Sequence, residues 1–522
     1  MGLNMDNGHP PAPWNRREAM VPAALALAVL ALQLATADAY GWFRDEFYYI
    51  ACGEHLDWGY VDHPPLSAWI ARFAREVFGE SLLAIRLLPA LVGAAVVLLA
   101  ARLAREMGGG ALAQALAALC VALAPVYLSL FHFFSMNSFE ILFWTLGALV
   151  LARIVRTGDG RLWLLFGLIA GIGLLNKHSM LVFGFAAFAG VALTPERRHF
   201  ARPWIWLGGL LAFLLFLPNL IWQHLHGWPT LEFMDNAQRL KNVDLAPLDF
   251  LREQLLMMNP LAAPVWLGGL GWLLLARQGR PFRPLGWLYL AALAVLLTQR
   301  SKPYYLAPVY TLLFAAGGVA WELWLQRLRE PRLRLVAAGL VVLPAAVGGL
   351  IGLPLAVPVL PVEGFIRYSR ALGIQAESGE RHEMGELPQL YADMHGWPEM
   401  VAEVARVYHS LPPEERAVAG IFGQNYGEAG AIGVLGKAYG LPPAISGHNS
   451  HWLWGPGSYD GRVLIVLGGD EEGNRRACPD LRRAGTVRCR YCMPYEDELP
   501  VWVCRNVTPP LSELWPRLKK YI

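Results

Sequence analysis

Charge is what this sequence has least of. Only 16% of its 522 residues are Asp, Glu, Lys or Arg, against about 25% in an ordinary soluble chain. That scarcity excludes a chain that is soluble throughout. The few charges nearly cancel, at +3 overall, and no basic stripe marks a nucleic-acid partner. Internal repeats and low-complexity stretches are absent, so no repeat architecture is expected. The first apolar run, Met20 to Ala39, is too long for a signal-peptide core and has no small-residue cleavage site in a polar stretch after it. It reads as a retained first span. Cysteine is sparse too: of six, four fall in the last 50 residues.

What is there is hydrophobic. Apolar residues make up 55% of the chain, and its 20 tryptophans often sit near the ends of apolar runs, as membrane-interface belts require. Runs long enough to cross a bilayer are expected at 19–40, 82–105, 111–131, 137–156, 161–177, 179–194, 203–222, 257–277, 284–299, 304–325 and 333–357. The pair 161–177 and 179–194 is separated only by "NKHS". The short loops after even-numbered spans, with the N-terminus, carry Arg16 and Arg17; Arg102 and Arg105; Arg153, Arg156 and Arg161; Arg197, Arg198 and Arg202; Arg277, Arg280 and Arg283; and Arg327, Arg329, Arg332 and Arg334. The positive-inside tendency places those loops, and the N-terminus, in the cytoplasm.

Segments 41–81, 132–136, "NKHS", 223–256, 299–303 and everything after 357 then face the exterior. Two domains are expected: a transmembrane domain over 1–357, with a first exterior loop at 41–81, and a soluble exterior α/β domain over 358–522. In the second, "AVAGIF" (417–422) and "RVLIVL" (462–467) read as buried strands and 396–411 as an amphipathic helix. Its Cys478, Cys489, Cys492 and Cys504 suit two disulfides in an oxidising compartment, a zinc site, or free thiols, with a structural rather than catalytic role.

The exterior face holds the chemistry. The first loop opens on "RDEFYY" (44–49) and contains "YVDHPPLSAWI" (60–70), whose two prolines forbid a helix across them before an amphipathic pattern resumes. Taken alone, Asp45 and Glu46 are a solvated helix end. The density of Asp45, Glu46, Glu54, His55, Asp57, Asp62 and His63 in a loop returning to the membrane points instead to a site. Glu140 lies about one turn inside a span, where a carboxylate is costly and is a functional candidate; its plainer role is a structural hydrogen-bond partner. Lys177 and His178 occupy the tightest exterior turn. Arg300 and Lys302, with Tyr304 and Tyr305 close behind, stand where the charge bias disfavours cations. Cations at headgroup level suit a phosphate, and a nearby carboxylate suits deprotonation of a hydroxyl. A lipid-linked phosphosugar needs that combination.

The acidic pair after span 1, the loop "DHPPLSAWI", the span-4 stretch "SMNSFEILFWTL", the turn "LLNKHSML", "LPNLIWQHLHGWP" (217–229) and "SKPYYLAPVY" (301–310) follow one another in the order of a known family. Over residues 1 to 325 the chain resembles the dolichyl-phosphate-mannose–protein mannosyltransferases in the broad sense, which include bacterial lipid A aminoarabinose transferases, within the glycosyltransferase C superfamily. The resemblance implies a polytopic α-helical fold of about eleven spans with surface helices in the first exterior loop. It implies inverting transfer of a sugar from a polyprenyl- or dolichyl-monophosphate donor to a glycan, lipid or protein acceptor outside the cytoplasm, in a bacterial inner membrane. By position, Asp45 would be the base and Glu46 its neighbour or a substrate ligand, with Glu140 a second carboxylate. His63, Lys177, Arg300, Lys302, Tyr304 and Tyr305 would meet the donor phosphate, and Asp62 a divalent metal in some members. His63 replaces a common Lys, and Asn137 stands where some members have Asp. The competing class is a lipid or polysaccharide transporter or flippase; no pseudo-repeat and no pair of broken midplane helices supports it. In the tail, 424–428 ("QNYGE") and 447–454 ("GHNSHWLW") are the sugar-facing candidates, or loops packed on the domain's own core.

Overall fold

A computed structural model describes residues 16–376 and 380–522. The first fifteen residues, expected in the cytoplasm, lie outside the described residues. The chain divides into two compact units.

The first unit takes in residues up to Ala37, Leu83–Leu220 and Asp244–Leu360. Seven helices among the described residues are long and apolar enough to cross a membrane, or nine if two bent pairs each count as one span. Some of them are largely enclosed, Met136–Thr157 and Pro303–Leu325 most of all, and others present their large side chains outward. Leu207, Leu210, Phe213 and Leu214 of the helix Pro203–Leu225 are all exposed. Such a surface is stable against hydrocarbon, where a helix satisfies its own backbone. The chain is an integral membrane protein. Two expected spans are shorter helices, Ala111–Ala122 and Leu162–Asn176. The run 111–131 breaks because Pro125 starts a new helix, Pro125–Leu130. Met180–Ala192 and Pro195–Ala201 meet at 108°, and Pro247–Met257 and Pro260–Leu275 at 90°. A proline opens the second member of each bend, where its missing N–H is tolerated and the preceding helix cannot continue.

The second unit comprises Asp38–Leu82, Ile221–Val243 and Pro361–Ile522. The loop expected at 41–81 thus belongs to the same compact unit as the tail. It forms two helices, Arg44–Glu54 and Leu66–Phe78. Small residues Ala68, Ala71 and Ala74 bury one side of the second helix, and Phe73, Val77 and Phe78 are exposed on it. This is the apolar face that a membrane-surface helix presents.

The tail holds a five-stranded sheet. Strands β1 (Ala419–Phe422), β2 (Ala444–Ile445), β3 (Val463–Leu467), β4 (Asp480–Val487) and β5 (Leu499–Arg505) run in the order β2-β1-β3-β5-β4. The first three are parallel, and β5 and β4 antiparallel. Both faces are covered. Ile421, Ile465, Val501 and Val503 pack with Met400, Val401, Val404 and Val407 of the helix Trp397–Ser410, and Phe47 of the first-loop helix joins that core. Phe422, Leu464, Val466, Trp502 and Cys504 form the opposite cluster. Double burial explains why the central strands read as continuous apolar runs.

Cys478 and Cys504 form a disulfide, whereas Cys489 and Cys492 are free thiols. The four tail cysteines therefore do not form one zinc site, and one of the two expected bridges is made. Cys478→Ser with Cys504→Ser is expected to destabilise the tail by about 2–4 kcal/mol, read as an earlier thermal unfolding transition.

Candidate active site

The helix Arg44–Glu54 begins with three charged residues that end in three different environments. Glu46 is fully buried, and its Oε2 accepts the Phe43 amide hydrogen at 2.8 Å. It satisfies one of the orphan donors at the helix start. Arg44 is buried as well. Its Nη1 donates to Tyr495 Oη at 2.7 Å and lies 3.6 Å from Asp393 Oδ1, its Nη2 is 4.0 Å from Glu380 Oε2, and its guanidinium stands 5.4 Å from the Tyr426 ring centre. Burial opposes its charge, and Asp393, Tyr426, Tyr495 and Asp45 outweigh that cost. Asp45 alone reaches solvent, with 36% of its side chain exposed. Tyr426 Oη donates to Asp45 Oδ1 at 2.8 Å, and Arg44 Nε is 3.7 Å from the same oxygen.

That geometry depends on two glycines. A Cβ built on Gly427 would lie 2.6 Å from Arg44 Cγ, and one on Gly430 2.7 Å from Phe47 Cβ. The helix Tyr426–Leu435 reaches the Arg44–Glu54 helix only because both are bare.

Asp62 and His63 follow on the same unit. Tyr48 Oη donates to Asp62 Oδ1 at 2.6 Å and accepts from the Ser450 amide at 3.2 Å. Burial raises the Asp62 carboxyl, with His63 pulling it back. His63 is fully enclosed by Tyr49 and Tyr60, at 5.0 and 4.8 Å between ring centres, with Tyr48 at 5.8 Å. Its Nδ1 is 2.8 Å from the Pro64 carbonyl oxygen, and its Nε2 has no hydrogen-bond partner. Among the described residues no group of three or more His, Cys, Asp or Glu side chains is placed to hold a metal.

The membrane unit has its own cluster. Lys177 caps the helix Leu162–Asn176 and reaches Glu140 of the helix Met136–Thr157. Its Nζ lies 2.7 Å from Glu140 Oε2 and 2.8 Å from Asn137 Oδ1, and Ser179 Oγ donates to Glu140 Oε1. Both charges are over nine-tenths buried. Tyr305 and Tyr304 place their rings 4.3 and 5.7 Å from Lys177 Nζ, within range for cation–π attraction. Glu140 and Lys177 are therefore partners of each other. Arg300 is 64% exposed and at positive φ, with Nη1 3.8 Å from the half-exposed Asp244. Lys302 precedes the short helix Pro303–Val309.

Sequence reasoning missed Arg44's partners, because Glu380, Asp393 and Tyr495 are hundreds of residues away. Tyr426 lay inside the singled-out "QNYGE" segment. Its neighbour Glu428 shares an amide with Glu496: Asn425 Nδ2 donates to both, at 2.7 and 2.9 Å. Burial pushes Glu496 up to about 7 and, with repulsion from Glu496, holds Glu428 well above the usual carboxylate range.

Comparison with known proteins agrees with the fold. Residues 62–222 match the family model described as dolichyl-phosphate-mannose-protein mannosyltransferase. The chain is 25% identical over 309 residues to the lipid A galacturonosyltransferase RgtD of Rhizobium johnstonii, a match over 58% of this chain and 65% of that one, just under two thirds of the relative. The structure of ArnT from Cupriavidus metallidurans bound to undecaprenyl phosphate superposes with a TM-score of 0.63, at 17% identity, covering 93% of this chain and 97% of the other. The Archaeoglobus fulgidus oligosaccharyltransferase superposes at 0.54 and 12% identity, over 82% of this chain and 64% of that one.

Lys177→Ala leaves Glu140 buried and unpaired, and is expected to cost about 3–5 kcal/mol. Lys177→Met combined with Glu140→Leu recovers most of that loss in thermal unfolding in detergent. The raised Glu496 carboxyl gives a pH signature. A carboxyl raised on folding stabilises most when protonated, so the wild type gains stability as pH falls through about 7. Glu496→Gln is expected to melt above wild type at pH above about 7, with the gap closing at lower pH.

Proposed function

We propose that the chain is a membrane glycosyltransferase of the glycosyltransferase C superfamily that moves a sugar from a polyprenyl-monophosphate donor to an acceptor hydroxyl on the exterior face of a bacterial inner membrane, with inversion. The carrying observation is the separation of the "RDEFYY" charges: Asp45 is exposed and held by Tyr426, whereas Glu46 is sealed in the helix start. A base must reach the proton it takes. The undecaprenyl phosphate bound by ArnT supports the donor class, and the name of RgtD supports a glycolipid acceptor.

In this reading the acceptor hydroxyl gives its proton to the Asp45 carboxylate as its oxygen attacks the anomeric carbon. The anomeric C–O bond to phosphate breaks, and the lipid phosphate leaves with both electrons. No general acid is needed when cations receive that charge. Arg300, 64% exposed, and Lys302 are the cations proposed for this role, from the resemblance. Lys177 is already neutralised by Glu140, so the pair acts as a fixed support for Tyr304 and Tyr305. Tyr426 and Arg44 position Asp45. The N-terminus is cytoplasmic, and the tail lies outside with the first loop.

Asp45→Asn is expected to lower transfer at least ~10²-fold, the lower range of a general base's contribution, in proteoliposomes supplied with a radiolabelled polyprenyl-phosphate sugar. Glu46→Gln retains transfer and lowers the melting temperature. Tyr426→Phe reduces kcat on the order of 10- to 100-fold through misplacement while KM for the donor stays unchanged. Normal turnover by Asp45→Asn sinks the assignment.

A further inference from the structure

The face of the Arg44–Glu54 helix that points away from Asp45 has a second feature. Phe47, Ile50, Ala51 and Glu54 follow the i, i+3, i+4, i+7 spacing of one helix face, and all four line a cavity of about 280 Å³. Asp45 and Tyr48 lie on the other side of the helix and do not line it. The opposite walls come from the helix Tyr426–Leu435 and from 443–459 of the tail. Every lining residue belongs to the second compact unit.

The walls combine aromatic rings with a few polar groups. Trp454 is fixed by stacking on His55, 4.1 Å between ring centres with 12° between planes. His451 stands 4.6 Å from Trp454 at 66°, and Tyr459 completes the aromatic wall. His451 is 93% buried, with an Nε2 that finds no hydrogen-bond partner. Burial pushes its imidazole down to about 3, so it meets a ligand as a neutral ring. Glu54 is the one carboxylate of the lining, held by Arg75 at 2.9 Å and Lys437 at 3.5 Å. Neither of these cations lines the cavity.

Three glycines keep the space open. A Cβ on Gly433, Gly455 or Gly457 would meet nothing within 4 Å. A mostly apolar cavity with a few convergent polar groups is the usual form of a small-ligand site, and drug-sized ligands fill about 300–1,000 Å³. This one is at the lower edge of that range and suits a single substituted ring. No cationic side chain lines the cavity, and a neutral imidazole and an ion-paired carboxylate give a phosphate or carboxylate ligand no counter-charge. Aromatic walls pair with the C–H face of a pyranose, and Glu54 and His451 with its hydroxyls.

We propose that this cavity is a binding site for an uncharged pyranoside, separate from the donor phosphate and from the proposed base. It would hold one sugar residue of the acceptor glycan on the far side of the helix that carries Asp45. The choice of a sugar rests on the transferase reading, but the binding does not require turnover.

The test uses the full-length protein in nanodiscs and saturation-transfer difference NMR. The probes are methyl pyranosides of glucose, galactose, mannose and N-acetylglucosamine, with cyclohexanemethanol as an apolar ring of similar size. At least one methyl pyranoside is expected to bind. Gly433→Leu, whose side chain enters open space on a helix, is expected to weaken that binding at least tenfold without lowering the melting temperature, and Trp454→Ala to weaken it as much. Asp45→Asn keeps the binding while losing transfer. Binding of cyclohexanemethanol with none of the pyranosides overturns the proposal in favour of an apolar occupant. Pyranoside binding unaltered by Gly433→Leu, or no binding at all, overturns it as well. If Asp45→Asn transfers normally while Gly433→Leu abolishes pyranoside binding, the base assignment fails and the sugar site stands.

Discussion

The contact between the helices Arg44–Glu54 and Tyr426–Leu435 is the constraint on which the proposed chemistry depends. Gly427 and Gly430 remove the side chains that would hold the two apart. The approach lets Tyr426 reach Asp45 and encloses Arg44 among Asp393, Glu380 and Tyr495. An isolated buried guanidinium is costly, and this one is stable because its partners are buried with it. Phe47, one turn along, joins the core beneath the sheet. The start of the loop at 41–81 is therefore part of the tail's hydrophobic core.

The membrane unit solves a related problem in a different way. Glu140 and Lys177 carry opposite charges from two helices into a region where neither is stable alone. They neutralise each other, and Asn137 and Ser179 take up further hydrogen-bonding capacity. Tyr304 and Tyr305 shield the ammonium. A pair of this kind contributes little net stability, yet losing one member is expensive. It fixes the turn between two apolar helices that have few other polar handles.

Much of the fold was legible in the sequence, because the bilayer imposes long apolar runs and a charge bias that composition alone records. The strands β1 and β3 were legible for a similar reason, since burial on both faces leaves uninterrupted apolar residues. The bends before Pro195 and Pro260 were harder to read, because hydropathy continues across them while the helix axis does not. The site was legible only in part. "RDEFYY" marks a place but cannot assign Asp45 and Glu46, since their fates differ by which way a side chain points in the first turn. The ion pair of Lys177 was hidden too, because Glu140, 37 positions earlier, is invisible as its partner until the helices are packed. Arg44 and Tyr426 both lay in segments the sequence singled out, but their pairing with Asp45, Asp393 and Tyr495 could not be read there because those contacts are distant along the chain.

The central claim is that Asp45, and not Glu46, is the carboxylate that meets the acceptor. Labelling with a water-soluble carbodiimide and a nucleophilic amine tests it most directly, with peptide mass spectrometry run beside a transfer assay on the same samples. The account predicts that transfer falls in proportion to modification of Asp45, that Glu46 stays unmodified in the folded protein, and that bound acceptor protects Asp45. Loss of transfer that tracks label on Glu46, or full activity with Asp45 modified, would contradict it.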